Sequence, residues 1–253
     1  MFEIATELVV WLIGAAFVAG FVDAIAGGGG LITVPALLLA GASPLEALAT
    51  NKLQGTFGAA SAAITYARAG KVDPARQGGA ALVAFAAGGA GAMLATVLPT
   101  AGLRTALPVI LIGIAAFFAF KPGLSDNDRV QRLRPALFTA FVVPLIGGYD
   151  GLIGPGAGSF YMIGFVMLAG YGVLKATAHT KLLNFASNLG GLIAFAAHGA
   201  PWWAVGLAMA GAQVVGAWVG ARLAMRVGAR LIKPLLVITS TALALRLLWQ
   251  GLN

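Results

Sequence analysis

Two aspartates and two lysines stand where an apolar chain has no ordinary use for charge. Asp23 lies just ahead of Gly27-Gly28-Gly29-Gly30, and Lys52 follows one apolar segment later within Asn51-Lys52-Leu53. Asp150 precedes Gly154-Pro155-Gly156-Ala157-Gly158 in the same way, and Lys181 follows within Thr180-Lys181-Leu182. The stretches between also match, Leu39-Ala40-Gly41 with Leu168-Ala169-Gly170 and Leu45-Glu46-Ala47 with Leu174-Lys175-Ala176. A charged side chain at membrane depth costs about 2.5–3.5 kcal/mol on insertion scales, so each of these four needs a partner or a task. The lysines could receive an anion. The aspartates could carry protons, cap broken helices, or pair with the lysines within or between the two halves.

The glycine runs supply the second part of that chemistry. Glycine is entropically costly in a helix, and Pro155 lacks a donor and clashes with the preceding turn, so neither run continues a helix. Backbone freed at membrane depth must line a cavity or lie buried in protein. The amides that open the next short helix then point the positive end of its dipole at an anion. Gly28, Gly29 and Gly30, with Gly154, Gly156, Ala157 and Gly158, are therefore candidate substrate contacts. The alternative is a pair of kinks for close helix packing. Interrupted segments in corresponding positions of two halves favour the binding site of a secondary transporter.

Asn51, Lys52, Lys181, Asn184 and Asn188 complete the substrate-binding candidates. Lys181, Asn184, Asn188 and Gly191 share one helical stripe that should face a cavity, whereas Lys52, Gly55, Ala59 and Ala62 form a stripe of small residues suited to close packing. Asp23, Asp150 and His179 are the candidate proton carriers, although a lone helical histidine is more often simply hydrogen-bonded. Glu46 has a structural explanation in Ser43-Pro44-Leu45-Glu46, a capping box with proline at the first helical position. Gly216 and Gly220 read as a helix-packing GxxxG.

The elements that must position these residues are set by composition. Of 253 residues 60% are hydrophobic and 9% charged, and the mean hydropathy is +0.93, far from a soluble domain with roughly 25% charged residues. This is an integral membrane protein. The net charge of +8 resides largely in short loops, where basic residues are topology signals rather than a nucleic-acid surface. There is no cysteine, which excludes disulfides and thiolate chemistry. With two histidines a metal centre is not expected; nor is any cofactor. Glu3 and Glu7 replace the basic start of a signal peptide, so the N-terminus reads as the first membrane segment.

Apolar segments fall at 5–24, 30–41, 44–67, 77–98, 103–120, 135–150, 157–170, 174–197, 202–221 and 231–249. The second and seventh are too short to span a core of about 30 Å comfortably. Arg104 to Pro108 matches Arg230 to Pro234, and Gly91-Ala92 recurs as Gly220-Ala221. The expected architecture is all-α: two inverted five-segment repeats with glycine-interrupted or re-entrant helices, at 1–120 and 135–253, joined by a cytoplasmic linker at 121–134. Inversion gathers the basic loops 68–76, 121–134 and 222–233 on one face, which the positive-inside rule places in the cytoplasm. Both termini are then extracytoplasmic, in the cell inner or plasma membrane, with Trp202 and Trp203 as outer interface anchors.

The two glycine signatures, each with a preceding Asp and a following buried Lys, resemble the sulfite exporter TauE/SafE family, also called the 4-toluene sulfonate uptake permease family. The resemblance covers essentially the whole chain. It implies transport of a small sulfur-containing anion such as sulfite or an organosulfonate. An anion moving outward across an inside-negative potential gains about 2.3 kcal/mol per 100 mV, so export needs no coupling ion and uptake would need one. An anion channel is the main alternative. An intramembrane aspartyl protease is disfavoured, because Gly-x-Gly-Asp is missing and Pro35-Ala36-Leu37 precedes the second Asp. The expected partners are a small anion, the bilayer and a coupled proton, with room for a homodimer.

Overall fold

The computed structural model describes residues 6–99, 126–128, 130–198 and 201–228. Eight helices are described, numbered here in chain order: α1 (Thr6–Ala26), α2 (Gly30–Leu39), α3 (Pro44–Arg68), α4 (Pro74–Val97), α5 (Pro135–Leu152), α6 (Ala157–Met167), α7 (Val173–Ala197) and α8 (Trp203–Val227). They coincide with eight of the expected apolar segments. The segments at 103–120 and 231–249 lie outside the described residues. Among the described residues four stretches are long and apolar enough to cross a bilayer, namely Glu7–Ala26, Pro74–Val97, Pro135–Leu152 and Trp203–Val227.

Local chemistry sets the helix ends. Ser43 and Glu46 close the capping box reciprocally, the Glu46 amide donating to Ser43 Oγ at 3.3 Å and the Ser43 amide to Glu46 Oε2 at 2.8 Å. Asp73 caps α4 by accepting from the amides of Ala75 and Arg76, with Pro74 at the first position. Helix α2 has 10 residues, about 15 Å at 1.5 Å per residue, half a bilayer core. It ends in a Schellman turn at Gly41, where the Ala42 amide reaches Leu37 and the Gly41 amide reaches Leu38. Helix α5 contains a π turn over Phe138–Val142, with the Val143 amide donating to the Phe138 carbonyl. Pro144, one residue on, has no amide to give, which is the local reason for the altered ladder.

Helices α3 and α7 run through the centre in opposite directions. Gly55 faces Asn188, and the Lys52 stem lies against Gly191. Around them α8 packs on α1 and α3, while α4 packs on α5 and α7. Glycines allow these approaches: Gly216 and Gly220 admit the α1 backbone at Phe17 and Phe21, a Cβ on Gly151 would strike the Gly88 carbonyl, and one on Gly88 would strike the Ser187 backbone. Val10, Leu82, Leu145 and Val215 project outward from the bundle, as lipid-facing residues must.

The basic loops gather at one end. Lys71 and Arg76 beside α4, Gln131 and Leu133 of the linker, and Lys175 and His179 of α7 line one wide cavity. The linker is pinned there: the amides of Arg132 and Leu133 both donate to the Leu168 carbonyl at 2.9 Å, and the Gly172 amide donates to Asp128 Oδ1 at 2.6 Å. At the opposite end the Trp202 amide donates to Thr50 Oγ1 at 2.9 Å.

Candidate functional site

The two glycine segments meet at the centre of the molecule. Helix α1 stops at Ala26 because Gly27 and Gly28 take φ of +79° and +92°, and Gly154 and Gly156 take +94° and +85° between α5 and α6. Only glycine adopts such angles without strain. A Cβ on Gly30 would lie 3.2 Å from Pro155 Cα, and one on Gly158 would lie 3.3 Å from Gly27 Cα. Side chains then close the gaps left in the ladders. Ser159 Oγ donates to the Ala26 carbonyl at 2.9 Å, and the Tyr149 hydroxyl donates to the Pro155 carbonyl at 2.5 Å.

The four charges pair crosswise. Lys52 Nζ of α3 lies 2.5 Å from Asp150 Oδ1 of α5, and Lys181 Nζ of α7 lies 3.0 Å from Asp23 Oδ2 of α1. Each aspartate therefore serves the lysine of the other half of the chain. Asp150 also accepts from Ser187 Oγ and, at 3.5 Å, from Asn188 Nδ2. Asp23 accepts from the Gly29 amide at 3.2 Å. The carboxylates are held by ammonium groups and not by each other, which is not the arrangement of an acid dyad sharing one proton.

These groups enclose a cavity of about 20 Å3, room for about one water molecule. It is lined by Asp23, Gly28, Gly29, Gly30, Asn51, Gly55, Asp150, Gly154, Gly156, Ala157, Gly158, Asn184, Asn188 and Gln213. Lys52 and Lys181 stand immediately behind that lining, at 1% and 0% exposure. Nearly all of the candidate residues read from the sequence thus come together. His179 does not. It sits in the wide cavity at the basic end, against Tyr171 and Phe165 with ring centroids 4.9 and 5.6 Å away. Two residues further along a helix means about 200° of rotation, so His179 and Lys181 face different ways.

Sequence reasoning missed Gln213 and undervalued Gly55. Gln213 is 3% exposed, lines the cavity from α8, and its Oε1 has no hydrogen-bond partner among the described residues. It occupies space left by Gly20 and Gly58, where a Cβ would come within 2.7 and 2.6 Å of its Cγ. A lone Gln in the apolar stretch from Trp203 to Ala221 was the available signal. Asn51 is oriented by Thr33 Oγ1 and Gln54 Nε2, both donating to its Oδ1, at 2.7 and 3.2 Å. Asn188 Nδ2 donates to the Asn184 carbonyl at 2.7 Å.

Comparison with known proteins decides the family. The family model described as "Sulfite exporter TauE/SafE" matches residues 12–247. The chain belongs to the TauE/SafE family. It is 55% identical to the "Probable membrane transporter protein ORF9" of Sinorhizobium sp over 248 residues, covering 98% of this chain and 95% of that one. It is 42% identical to the "Probable membrane transporter protein YfcA" of Escherichia coli K12 over 251 residues, covering 99% and 93%. A "Probable membrane transporter protein" of Haemophilus influenzae is 40% identical over 248 residues, covering 98% and 97%. No solved structure matches. As a TauE/SafE protein the chain is a helical membrane transporter, and the crossed pairs and glycine segments lie within the matched region.

Proposed function

We propose that the protein is a secondary transporter for a small sulfur-containing anion, sulfite or an organosulfonate, bound between the two glycine segments. The observation that carries this reading is the cavity where the N-terminal ends of α2 and α6 converge with two buried lysines behind them. Helix N-termini favour negative charge, and a cavity of this size holds no polyatomic anion until something opens. The lysines are occupied by aspartates in this state, so an arriving anion finds cationic partners only by competing for them. The antiparallel run of α3 and α7 and the crosswise pairing support two inverted repeats, at 1–120 and 135–253. Collection of the 68–76 loop and the linker at one end supports a cytoplasmic linker, with both termini outside an inner or plasma membrane. For an anion carried alone, the membrane potential favours export.

The test is flux of labelled sulfite and of an alkylsulfonate in proteoliposomes. Lys181→Met should abolish saturable flux at equal protein abundance, whereas Lys181→Arg keeps the charge and should retain part of it despite a different fork geometry. Wild-type flux in the Met variant would remove Lys181 from the site. Flux that neither saturates nor exchanges would favour a channel.

A further inference from the structure

The two ion pairs are unequal, and the inequality bears on how the anion enters. Asp150 is 2% exposed, and both its oxygens are engaged by side chains, Lys52 on Oδ1, Ser187 and Asn188 on Oδ2. Asp23 has a side chain 12% exposed to the cavity, holds Lys181 at 3.0 Å, and among the described residues its other oxygen takes only the Gly29 amide at 3.2 Å. The surroundings of Lys181 are also arranged for a polyatomic anion. A Cβ on Gly158 would lie 3.5 Å from both Lys181 Nζ and Asn184 Nδ2, so an ammonium, an amide N–H and the start of α6 converge on one edge of the cavity.

Resting on the anion-transport reading above, we infer that Asp23 is the internal competitor that the anion displaces from Lys181, taking up a proton as it leaves, while Asp150 stays on Lys52 throughout. Two lysines and two aspartates give the closed site a formal charge of zero. A monoanion added alone would leave one carboxylate unpaired in a water-poor cavity, which is strongly unfavourable. Charge balance is restored when the Asp23–Lys181 contact breaks, the anion oxygens accept the ammonium N–H groups, and a proton from water ends on the Asp23 carboxyl. The charged and titratable groups around Asp23 are Lys181 on α7, Tyr66 on α3 and Asp150 on α5, the last with Lys52 paired to it. The Tyr66 hydroxyl donates a hydrogen bond to the Ala24 carbonyl at 2.9 Å. Toward the cavity the Gly29 amide ahead of α2, Gly158 of α6 and Gln213 of α8 contribute no titratable group. The monoanion therefore travels with a proton as an electroneutral pair, and its flux follows a pH gradient instead of the potential.

Methanesulfonate is the appropriate probe, because a strong-acid anion does not titrate whereas sulfite does. Its affinity for the purified wild-type protein should rise on acidification, by up to about tenfold per pH unit. Calorimetry in buffers of different ionisation enthalpy should count about one proton taken up per anion. Asp23→Asn should bind with affinity independent of pH and at least as tight as the wild type at low pH. A wild-type slope in Asp23→Asn, or no proton uptake by the wild type, overturns the inference and leaves anion transport standing. The wild-type proton count decides the matter even if Asp23→Asn does not fold. Failure of the folded wild type to bind or carry any sulfonate or sulfite removes the underlying reading as well.

Discussion

Lys52→Met is the perturbation whose consequence the structure defines best. Lys52 and Asp150 are 1% and 2% exposed and 2.5 Å apart, and methionine keeps the stem that packs against Gly191. What is lost is the ammonium alone. Removing one partner of a buried pair typically costs about 3–5 kcal/mol, because the other charge stays behind uncompensated. Ser187 and Asn188 remain on Asp150, which argues for the lower part of that range. At about 2–4 °C per kcal/mol for a chain of this size, the melting temperature should fall by about 6–20 °C. Replacing both partners leaves no uncompensated charge at this pair, so Lys52→Met/Asp150→Asn should recover most of the loss, well above the sum of the single variants. Thermal unfolding in detergent, followed by tryptophan fluorescence on all four proteins, gives the cycle. Additive losses would refute the reasoning, since they would mean that the pair is not coupled.

Three further outcomes are expected. Gly29→Val and Gly156→Val should each abolish transport while leaving an inserted, folded protein: a Cβ at Gly29 would lie 2.8 Å from the Ala19 carbonyl, and Gly156 has φ of +85°. Flux assays at matched abundance check this, and wild-type rates would make the breaks mere packing kinks. Val130→Cys, in the exposed part of the linker, should react with impermeant thiol reagents only from the cytoplasmic side; labelling from outside intact cells would reverse the topology. The Gly172 amide, and then Lys175, hold the Asp128 carboxyl below the usual carboxylate range. A depressed value gives a contribution that is present above the ordinary value of about 3.9 and lost as pH falls below it. A spin label at position 130 should therefore gain mobility only below about pH 4, and already at neutral pH in Asp128→Ala; a spectrum unchanged by acid would contradict this.

What could be read from the chain followed from local rules. The position of each break is written in Gly27 to Gly30 and Gly154 to Gly158, because no other residue takes those angles cheaply. The burial of Asp23, Lys52, Asp150 and Lys181 follows from their apolar context. Which aspartate holds which lysine was not legible, since that depends on how α1, α3, α5 and α7 pack, over separations of 98 and 158 residues. Gly55 read as a packing residue because its neighbours are small, yet it borders the cavity opposite Asn188. His179 was drawn toward Lys181 by sequence proximity, and helical rotation separates them. Gln213 escaped because its place is set by Gly20 and Gly58 on two other helices.

Crosswise pairing also has a consequence for biosynthesis. Asp23 leaves the ribosome 158 residues ahead of Lys181; at about 5–20 residues per second it waits about 8–30 s for its partner. Lys52 waits 98 residues for Asp150, about 5–20 s at the same rate. During that interval the newborn first half holds one acid and one base of the central site, Asp23 and Lys52, neither with its eventual counterion. It must stay at the insertion machinery, keep these segments near water, or pair them temporarily with each other. A chain cut within the linker should be degraded when made alone and rescued when the missing half is supplied in the same cell, so completion of the second half is itself the quality checkpoint.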